Sequence, residues 1–343
     1  MSGATLSQLN NFDEIIDVRT PTEFSEDHIA GARNFPVLSN EERARVGTIY
    51  KQVSTFDAKK LGAALVARNI ADHLTHRFAD RPKSWRPLVY CWRGGKRSGA
   101  MTHILQQIGW RAEQLDGGYK AYRRAVLQAL TTLPGQLRYR VICGSTGAGK
   151  SELLRALAAL GAQVLDLEAL AAHRGSILGG LPDCPQPGQK LFESRLWNTL
   201  RRFDPAQPVF VEAESKKIGS LRTPDALLDA MWRSECVHLD ADREARADYL
   251  QREYAHFLQS PETLCVKLDY LTAMHGRERI SRWKDWARNG QWSALVLELL
   301  DNHYDPAYQK SMRKHYARLD TATRVAIEDM REENLRRAAA QLI

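Results

Sequence analysis

Apolar and polar positions change period along the chain, and the changes mark its elements. Glu14-Ile15-Ile16-Asp17-Val18-Arg19 is a short apolar run bounded by charges and predicts a buried strand. Thr20-Pro21-Thr22-Glu23-Phe24 predicts a short helix with proline just inside its start. His28 to Pro36 predicts another strand. Leu61, Ala64, Leu65, Ala67, Ile70 and Leu74 share one face of a helix expected over 61–78. Pro87-Leu88-Val89-Tyr90 predicts a strand running into Cys91, with a helix over 98–108 behind it, and 114–119 ends the module.

Leu133-Pro134-Gly135-Gln136 interrupts the pattern and predicts a boundary, with one domain over 1–133 and a second over 134–343. Strands are expected at 139–143, 164–168, 208–214 and 236–240, and a helix over 152–160. Beyond Asp242 the pattern is helical almost to the end. Short strands alternating with helices place both domains in the α/β class with parallel sheets.

The length of 343 residues allows two separate cores. No run of about 18 apolar residues predicts a membrane span. Met1 to Asn11 lacks the charged-then-apolar pattern of a secretion signal, so a cytoplasmic protein is expected. The five cysteines, at 91, 143, 184, 236 and 265, form no close pair, which argues against a disulfide framework or a zinc site. Formal net charge is +8. Residues 1–137 carry 19 Lys and Arg against 13 Asp and Glu, the remainder 30 against 28, so the excess is +6 and +2. A polyanion such as RNA would be attracted to this chain. A merely soluble basic protein would have the same balance.

Two loops carry candidate chemistry. The first is Tyr90-Cys91-Trp92-Arg93-Gly94-Gly95-Lys96-Arg97-Ser98-Gly99. A strand, a cysteine, a tight basic turn and a helix aim backbone N–H groups at the sulfur, and the helix start adds positive potential. Arg93, Lys96 and Arg97 add cations, so a thiolate is favoured. Such a sulfur can carry a chalcogen atom. Cys91 and Arg97 also satisfy C-x5-R, a phosphate-ester pattern.

The second loop, Gly144-Ser145-Thr146-Gly147-Ala148-Gly149-Lys150-Ser151, is G-x-x-x-x-G-K-S between a strand and a helix, a phosphate cradle. Lys150 would bridge phosphate oxygens, and Ser151 would hold magnesium, supported by Asp166 or Glu212 at strand ends. Asp240, Asp242, Arg243 and Arg246 follow the fourth strand, as in the arginine-bearing lid of small nucleotide kinases, though a plain surface helix would look the same. Arg277, Arg279, Arg282, Trp283, Lys284 and Arg288, with Trp286 and Trp292, are candidates for RNA contact. Lys310, Arg313, Lys314 and His315 beside Tyr304, Tyr308 and Tyr316 form a second such cluster. Tryptophans at helical spacing are more often core than base platforms, and charge runs usually face water.

Asp17-Val18-Arg19, Glu23-Phe24, His28-Ile29, Gly31-Ala32, Asn34 with Pro36, the Cys91 loop and Asp116-Gly117-Gly118 together resemble a rhodanese domain over most of 12–125. Counted through Arg97, the loop is one residue longer than the common sulfurtransferase loop and closer to the cell-cycle phosphatase branch. Asn40-Glu41-Glu42-Arg43, Val46 to Tyr50, Gly117 to Arg123, Asp166-Leu167-Glu168, His173-Arg174-Gly175-Ser176, Gln186-Pro187, Gln189 to Glu193 and Glu212 to Gly219 extend the likeness. Over nearly its full length the chain resembles the tRNA 2-selenouridine synthases, a rhodanese-like domain followed by a P-loop NTPase-like α/β domain with a helical C-terminal region.

The resemblance implies conversion of wobble 2-thiouridine to 2-selenouridine in lysine, glutamate and glutamine tRNAs. It implies an S-geranyl intermediate, with geranyl diphosphate and selenophosphate as co-substrates, a selenium donor system as partner, and Cys91 as the selenium carrier. Two other readings fit the loops: a rhodanese-fold phosphatase fused to a small-molecule kinase, and a nucleotide-gated RNA-binding protein with a non-catalytic rhodanese domain.

Overall fold

In the computed structural model, which describes residues 3–343, the chain forms two compact units. Met1–Ala129 and Gly188–Asn198 make the N-terminal unit, and Leu130–Pro187 with Thr199–Ile343 the C-terminal one. The break falls at Ala129/Leu130, and a segment far along the sequence returns to the first unit.

In the N-terminal unit, β1 (Glu14–Asp17), β2 (Ala32–Asn34), β3 (Pro87–Tyr90) and β4 (Glu113–Gln114) form a parallel sheet of order β2-β1-β3-β4. Helices α1 (Pro21–Glu26), α2 (Asn40–Gln52), α3 (Thr55–His76), α4 (Lys96–Ile108) and α5 (Gly118–Thr132) connect and flank the strands. Helix α1 starts with a capping box, the Thr20 hydroxyl accepting the Glu23 N–H and the Glu23 carboxylate accepting the Thr20 N–H. The expected strand over 28–36 shrinks to three residues, and α2 and α5 were not anticipated. Ile16, Val18, Phe35, Phe78, Trp85, Val89, Met101 and Leu105 build the core.

Beneath the cysteine loop lies a buried ion pair. Arg19 Nη2 sits 2.6 Å from Asp17 Oδ2 and donates to the Asp27 carbonyl at 2.7 Å, and the guanidinium Cζ lies 4.0 Å from the Tyr119 ring centroid. The Tyr119 hydroxyl donates to Asp27 Oδ2 at 2.8 Å. Both charges are nearly solvent-free, so the pair holds only because each has its hydrogen bonds.

The C-terminal unit begins with β5 (Arg138–Cys143), α6 (Lys150–Ala159), β6 (Gln163–Leu165) and α7 (Leu167–Ala171). Helix α8 (Gln189–Leu200) follows, most of it counted with the first unit, where Arg123 pairs with Glu193. Then come β7 (Pro208–Glu212), a hairpin of β8 (Lys217–Ile218) and β9 (Leu221–Arg222), α9 (Asp225–Trp232) and β10 (Glu235–Ala241). A helical region follows: α10 (Arg243–Glu253), α11 (Ala255–Gln259), α12 (Pro261–Leu268), α13 (Thr272–His275), α14 (Arg277–Arg288), α15 (Trp292–Leu299), a π turn over Leu300–Tyr304 and α16 (Asp305–His315). Strand β11 (Thr323–Ile327) and α17 (Glu332–Ala340) close the chain.

The main sheet has the order β11-β10-β5-β7-β6, all parallel, with the phosphate loop leaving the middle strand. The region beyond Asp242 is helical as expected up to His315, and the strand β11 near its end was not foreseen. Only Val325 and Ile327 of its five residues are buried, too brief an alternation to stand out among helices.

The turn Gly117-Gly118 locks the cysteine loop. The Tyr119 and Lys120 N–H groups at the start of α5 donate to the Cys91 and Trp92 carbonyls, both at 2.9 Å. Gly118 has φ +56°, and a methyl there would collide with the Cys91 carbonyl and the Gly94 amide. Gly118→Ala is expected to cost about 1–3 kcal/mol in chemical unfolding, as strain at a left-handed position does. An unchanged midpoint would mean the crossing is loose.

Candidate active site

Cys91 follows a fully buried strand and is itself only 3% exposed. Its Sγ accepts the Gly95 N–H at 3.2 Å and the Ser98 hydroxyl at 3.1 Å. Gln114 Nε2 donates to Ser98 Oγ at 2.8 Å, so the hydroxyl is oriented by a second donor. Burial pushes the thiol up, while the Ser98 hydroxyl and the Ser98, Gly95 and Arg93 amides pull it down; the donors win, and the thiol lies below its ordinary value.

The cations expected to do this work are placed otherwise. Arg97 gives both guanidinium nitrogens to Glu23, at 2.8 and 3.2 Å. Burial acts to raise the Glu23 carboxyl, but Arg97 outweighs it and holds it down to about 2. Arg93 is exposed, and its contribution at the sulfur is its backbone amide. The C-x5-R arrangement is therefore not assembled on Cys91. Ser98 and Gln114 were missed. Only the position of Ser98 in the first turn of the following helix could have pointed to it.

In the C-terminal unit, Gly144 to Ser151 wraps the start of α6, with Gly144, Gly147 and Gly149 at positive φ. Lys150 Nζ donates to the Gly144 carbonyl at 2.8 Å and lies 5.4 Å from the Tyr308 ring centroid. The Gly144 N–H donates to the Tyr308 hydroxyl at 2.6 Å. A cavity of about 570 Å³ opens over the loop, lined among others by Lys150, Ser151, Glu168, Arg174, Tyr254 and Tyr304.

The carboxylate beside Ser151 is neither of those expected. Ser151 Oγ donates to Glu168 Oε2 at 3.0 Å. Asp166 is spent as the cap of α7, accepting the Ala169 N–H at 2.7 Å, because the strand stops at Leu165 and a helix starts there. Glu212 is buried and accepts the Glu168 N–H at 2.8 Å. Burial and the neighbouring Glu168 push Glu214 up to about 8, and burial with the charges of Asp166, Glu168 and Glu214 also holds Glu212 well above the ordinary carboxylate range.

Among the described residues no group of three His, Cys, Asp or Glu side chains could hold a metal ion. Magnesium takes few protein ligands and keeps waters and substrate phosphates. Ser151 and Glu168 suit that requirement, in an acid-rich pocket whose charge a divalent cation would relieve.

The arginines after the fourth strand are not an open lid. Arg246 is 6% exposed, donates to the Thr146 carbonyl at 2.9 Å and forms two hydrogen bonds with Asp305, at 2.6 and 3.0 Å. Arg243 pairs with Asp301. The candidate RNA residues of α14 also fall mostly into structural roles. Trp283 has no exposed surface and packs with Leu264, Leu268 and Leu295, so it cannot stack on a base. Arg279 and Arg282 face Glu298, Lys284 meets Asp269 and Arg288 meets Glu262. Arg277 is exposed. Tyr304, Tyr308 and Tyr316 line the phosphate cavity.

Residues 3–125 match the rhodanese-like domain family, and 137–270 match the tRNA 2-selenouridine synthase AAA domain. Sheet, thiolate loop and phosphate loop thus define a rhodanese-type domain joined to a P-loop domain. The chain is 31% identical over 340 residues to the tRNA 2-selenouridine synthase of Hydrogenovibrio crunogenus, covering 89% of this chain and 91% of that protein. It is 36% identical over 244 residues to that of Nitrosomonas europaea, and 35% over 247 to that of Aeromonas salmonicida. These matches cover 70% and 71% of this chain but only 63% and 65% of those two relatives. The chain belongs to the tRNA 2-selenouridine synthase family. No helix among the described residues is long and apolar enough to cross a membrane.

Ser98→Ala removes the side-chain donor to the buried sulfur. The pH midpoint for alkylation of Cys91 is expected to rise toward or above that of an ordinary thiol, with slower alkylation at neutral pH. An unmoved midpoint would assign the thiolate to the backbone amides alone.

Proposed function

We propose that the protein modifies tRNA, replacing the sulfur of wobble 2-thiouridine by selenium. The observation that carries this reading is the Cys91 sulfur, buried yet ringed by the Gly95 amide and the Ser98 hydroxyl. Such a sulfur is a stable anion able to accept a zero-valent selenium atom from a perselenide donor, whose own thiol leaves; selenophosphate, with selenium at the selenide level, would supply that donor through a two-electron oxidation. Lysine, glutamate and glutamine tRNAs are the substrates the family resemblance implies.

Direct exchange at a thiocarbonyl is hard because sulfur leaves poorly. The reading therefore has two steps. In the first, the thiouridine sulfur attacks the first carbon of geranyl diphosphate, the carbon–oxygen bond breaks, and pyrophosphate leaves. The phosphate loop holds that diphosphate, and Lys150 offsets charge growing on the leaving oxygens. Magnesium, if bound, would sit at Ser151 and Glu168 and neutralise the same oxygens. In the second step, the outer selenium of a Cys91 perselenide attacks the activated ring carbon, geranylthiol departs, and an external thiol cleaves the S–Se bond, leaving selenium on the base and a mixed disulfide at Cys91.

The phosphatase–kinase alternative loses support because Arg97 is committed to Glu23 rather than to a phosphate beside Cys91. A non-catalytic rhodanese domain gives no reason for a hydroxyl and an amide to converge on a buried sulfur.

Two variants separate the steps, read by mass analysis of wobble nucleosides from thiolated RNA. Lys150→Ala should lose geranylation by about 100-fold, the scale of one lost charge-stabilising group. Cys91→Ser should accumulate S-geranyl-2-thiouridine without selenation. Normal geranylation by Lys150→Ala, or unmodified 2-thiouridine with Cys91→Ser, would contradict this division.

A further inference from the structure

Three stretches of the C-terminal unit that are distant in sequence, 215–223, 230–234 and 306–319, contain no Asp or Glu. The fold brings them together around Trp232. Lys216 Nζ, just before β8, lies 5.6 Å from the Trp232 ring centroid, and the Lys216 carbonyl accepts the Thr223 N–H at 3.1 Å. The His315 ring at the end of α16 stacks on the same indole, with 4.5 Å between centroids and 22° between planes. The Ala317 N–H donates to the Trp232 carbonyl at 3.4 Å, which draws the chain before Arg318 against the same residue. Burial first, then the charges of Lys314 and Lys216, hold the His315 imidazole below its ordinary value, so both ammonium groups act on that ring.

Lys216, Lys217, Arg313, Lys314 and Arg318 are exposed, and none of them meets a carboxylate among the described residues. The basic residues of α14 are the contrast: Arg279 and Arg282 face Glu298, Lys284 meets Asp269 and Arg288 meets Glu262. A cation that already has its carboxylate gains little from a phosphate. An unpaired one releases counterions when a polyanion arrives, and that release drives binding. Cations in the last turn of a helix also complement its dipole, which accounts for Arg313 and Lys314 but not for Lys216, Lys217 or Arg318. We infer that this face around the Trp232–His315 stack binds the phosphate backbone of the RNA substrate, in place of α14. The inference rests on the tRNA-modifying reading and adds where the RNA lies on this unit. Ser215, Ser311, Met312 and Tyr316, chain neighbours of these cations, line the mouth of the phosphate cavity. A strand held by its phosphates on the face therefore has its next nucleotide at that mouth. Phosphate contacts set register and orientation and carry no base identity, so the face holds thiolated and unthiolated RNA alike.

The test is fluorescence anisotropy of the full chain with a labelled tRNA transcript, in potassium chloride from about 50 to 200 mM, the range over which phosphate contacts are read from the slope of log affinity against log salt. The triple variant Lys216→Gln, Lys314→Gln, Arg318→Gln should bind about tenfold or more weakly, with a slope shallower by about two to three. The charge-keeping variant Lys216→Arg, Lys314→Arg, Arg318→Lys should restore both, which a merely structural role of these side chains would not require. Lys217→Gln with Arg313→Gln, a second set on the same face, should lower the slope by about one to two, and it serves where the triple variant loses its unfolding midpoint. Arg279→Gln with Arg282→Gln, whose cations are already paired, should leave the slope unchanged. An unaltered slope in both face variants overturns the inference, and a slope lost in the α14 variant instead returns the RNA to α14. Polyglutamate bound more tightly than tRNA, with the loss confined to that ligand, overturns it in favour of an acidic protein partner. A wild-type chain that binds no tRNA at any salt removes the tRNA-modifying reading itself, and the face with it.

Discussion

A sulfur excluded from water stays anionic only where fixed donors replace the water it has lost. Cys91 meets this condition through the Ser98 hydroxyl and the amides of its own loop. The strand before it is buried, the glycine turn after it is tight, and α4 begins where the amides must point. Helix α5 fixes the same loop from behind by binding the Cys91 and Trp92 carbonyls. The buried Arg19–Asp17 pair supports Tyr119 underneath, so the loop rests on a polar, hydrogen-bonded floor. What looks like a cationic pocket in sequence is a hydrogen-bonded one in space.

The C-terminal unit solves a related problem with opposite sign. Its loop offers amides and Lys150 to phosphate, yet acidic groups crowd the same mouth. Glu168 accepts the Ser151 hydroxyl, Glu212 steadies the Glu168 amide, and Glu214 is pushed toward neutrality. The helical region is tied to the loop through Arg246, which spans from the Thr146 carbonyl to Asp305, and through Tyr308 on the Gly144 amide. Residues distant in sequence therefore shape the phosphate site, and basic residues of α14 mainly fasten helices to one another.

The two loops, their flanking strands and the parallel sheets were legible because each rests on local pattern: an apolar run, a glycine turn, a helix start. What was not legible depends on side chains meeting across the fold. Asp166 and Glu168 are two residues apart, and only the exact end of β6 decides which one caps a helix and which faces Ser151. Trp283 at helical spacing reads more readily as core than as a stacking platform, but only its neighbours decide, and it is core. Arg97 has the right spacing for an anion at Cys91, but the Glu23 that claims it lies 74 residues away. Strand β11 was hidden because five residues with two buried positions cannot announce themselves within a helical stretch.

The central claim is that Cys91 is an anionic sulfur that carries selenium. The most direct measurement exposes the native protein to a small-molecule perselenide, such as glutathione perselenide, at neutral pH and determines the mass of the peptide containing Cys91. The account predicts one added selenium atom on that cysteine and none on the other four. An unmodified Cys91 in folded, fully reduced protein would contradict it.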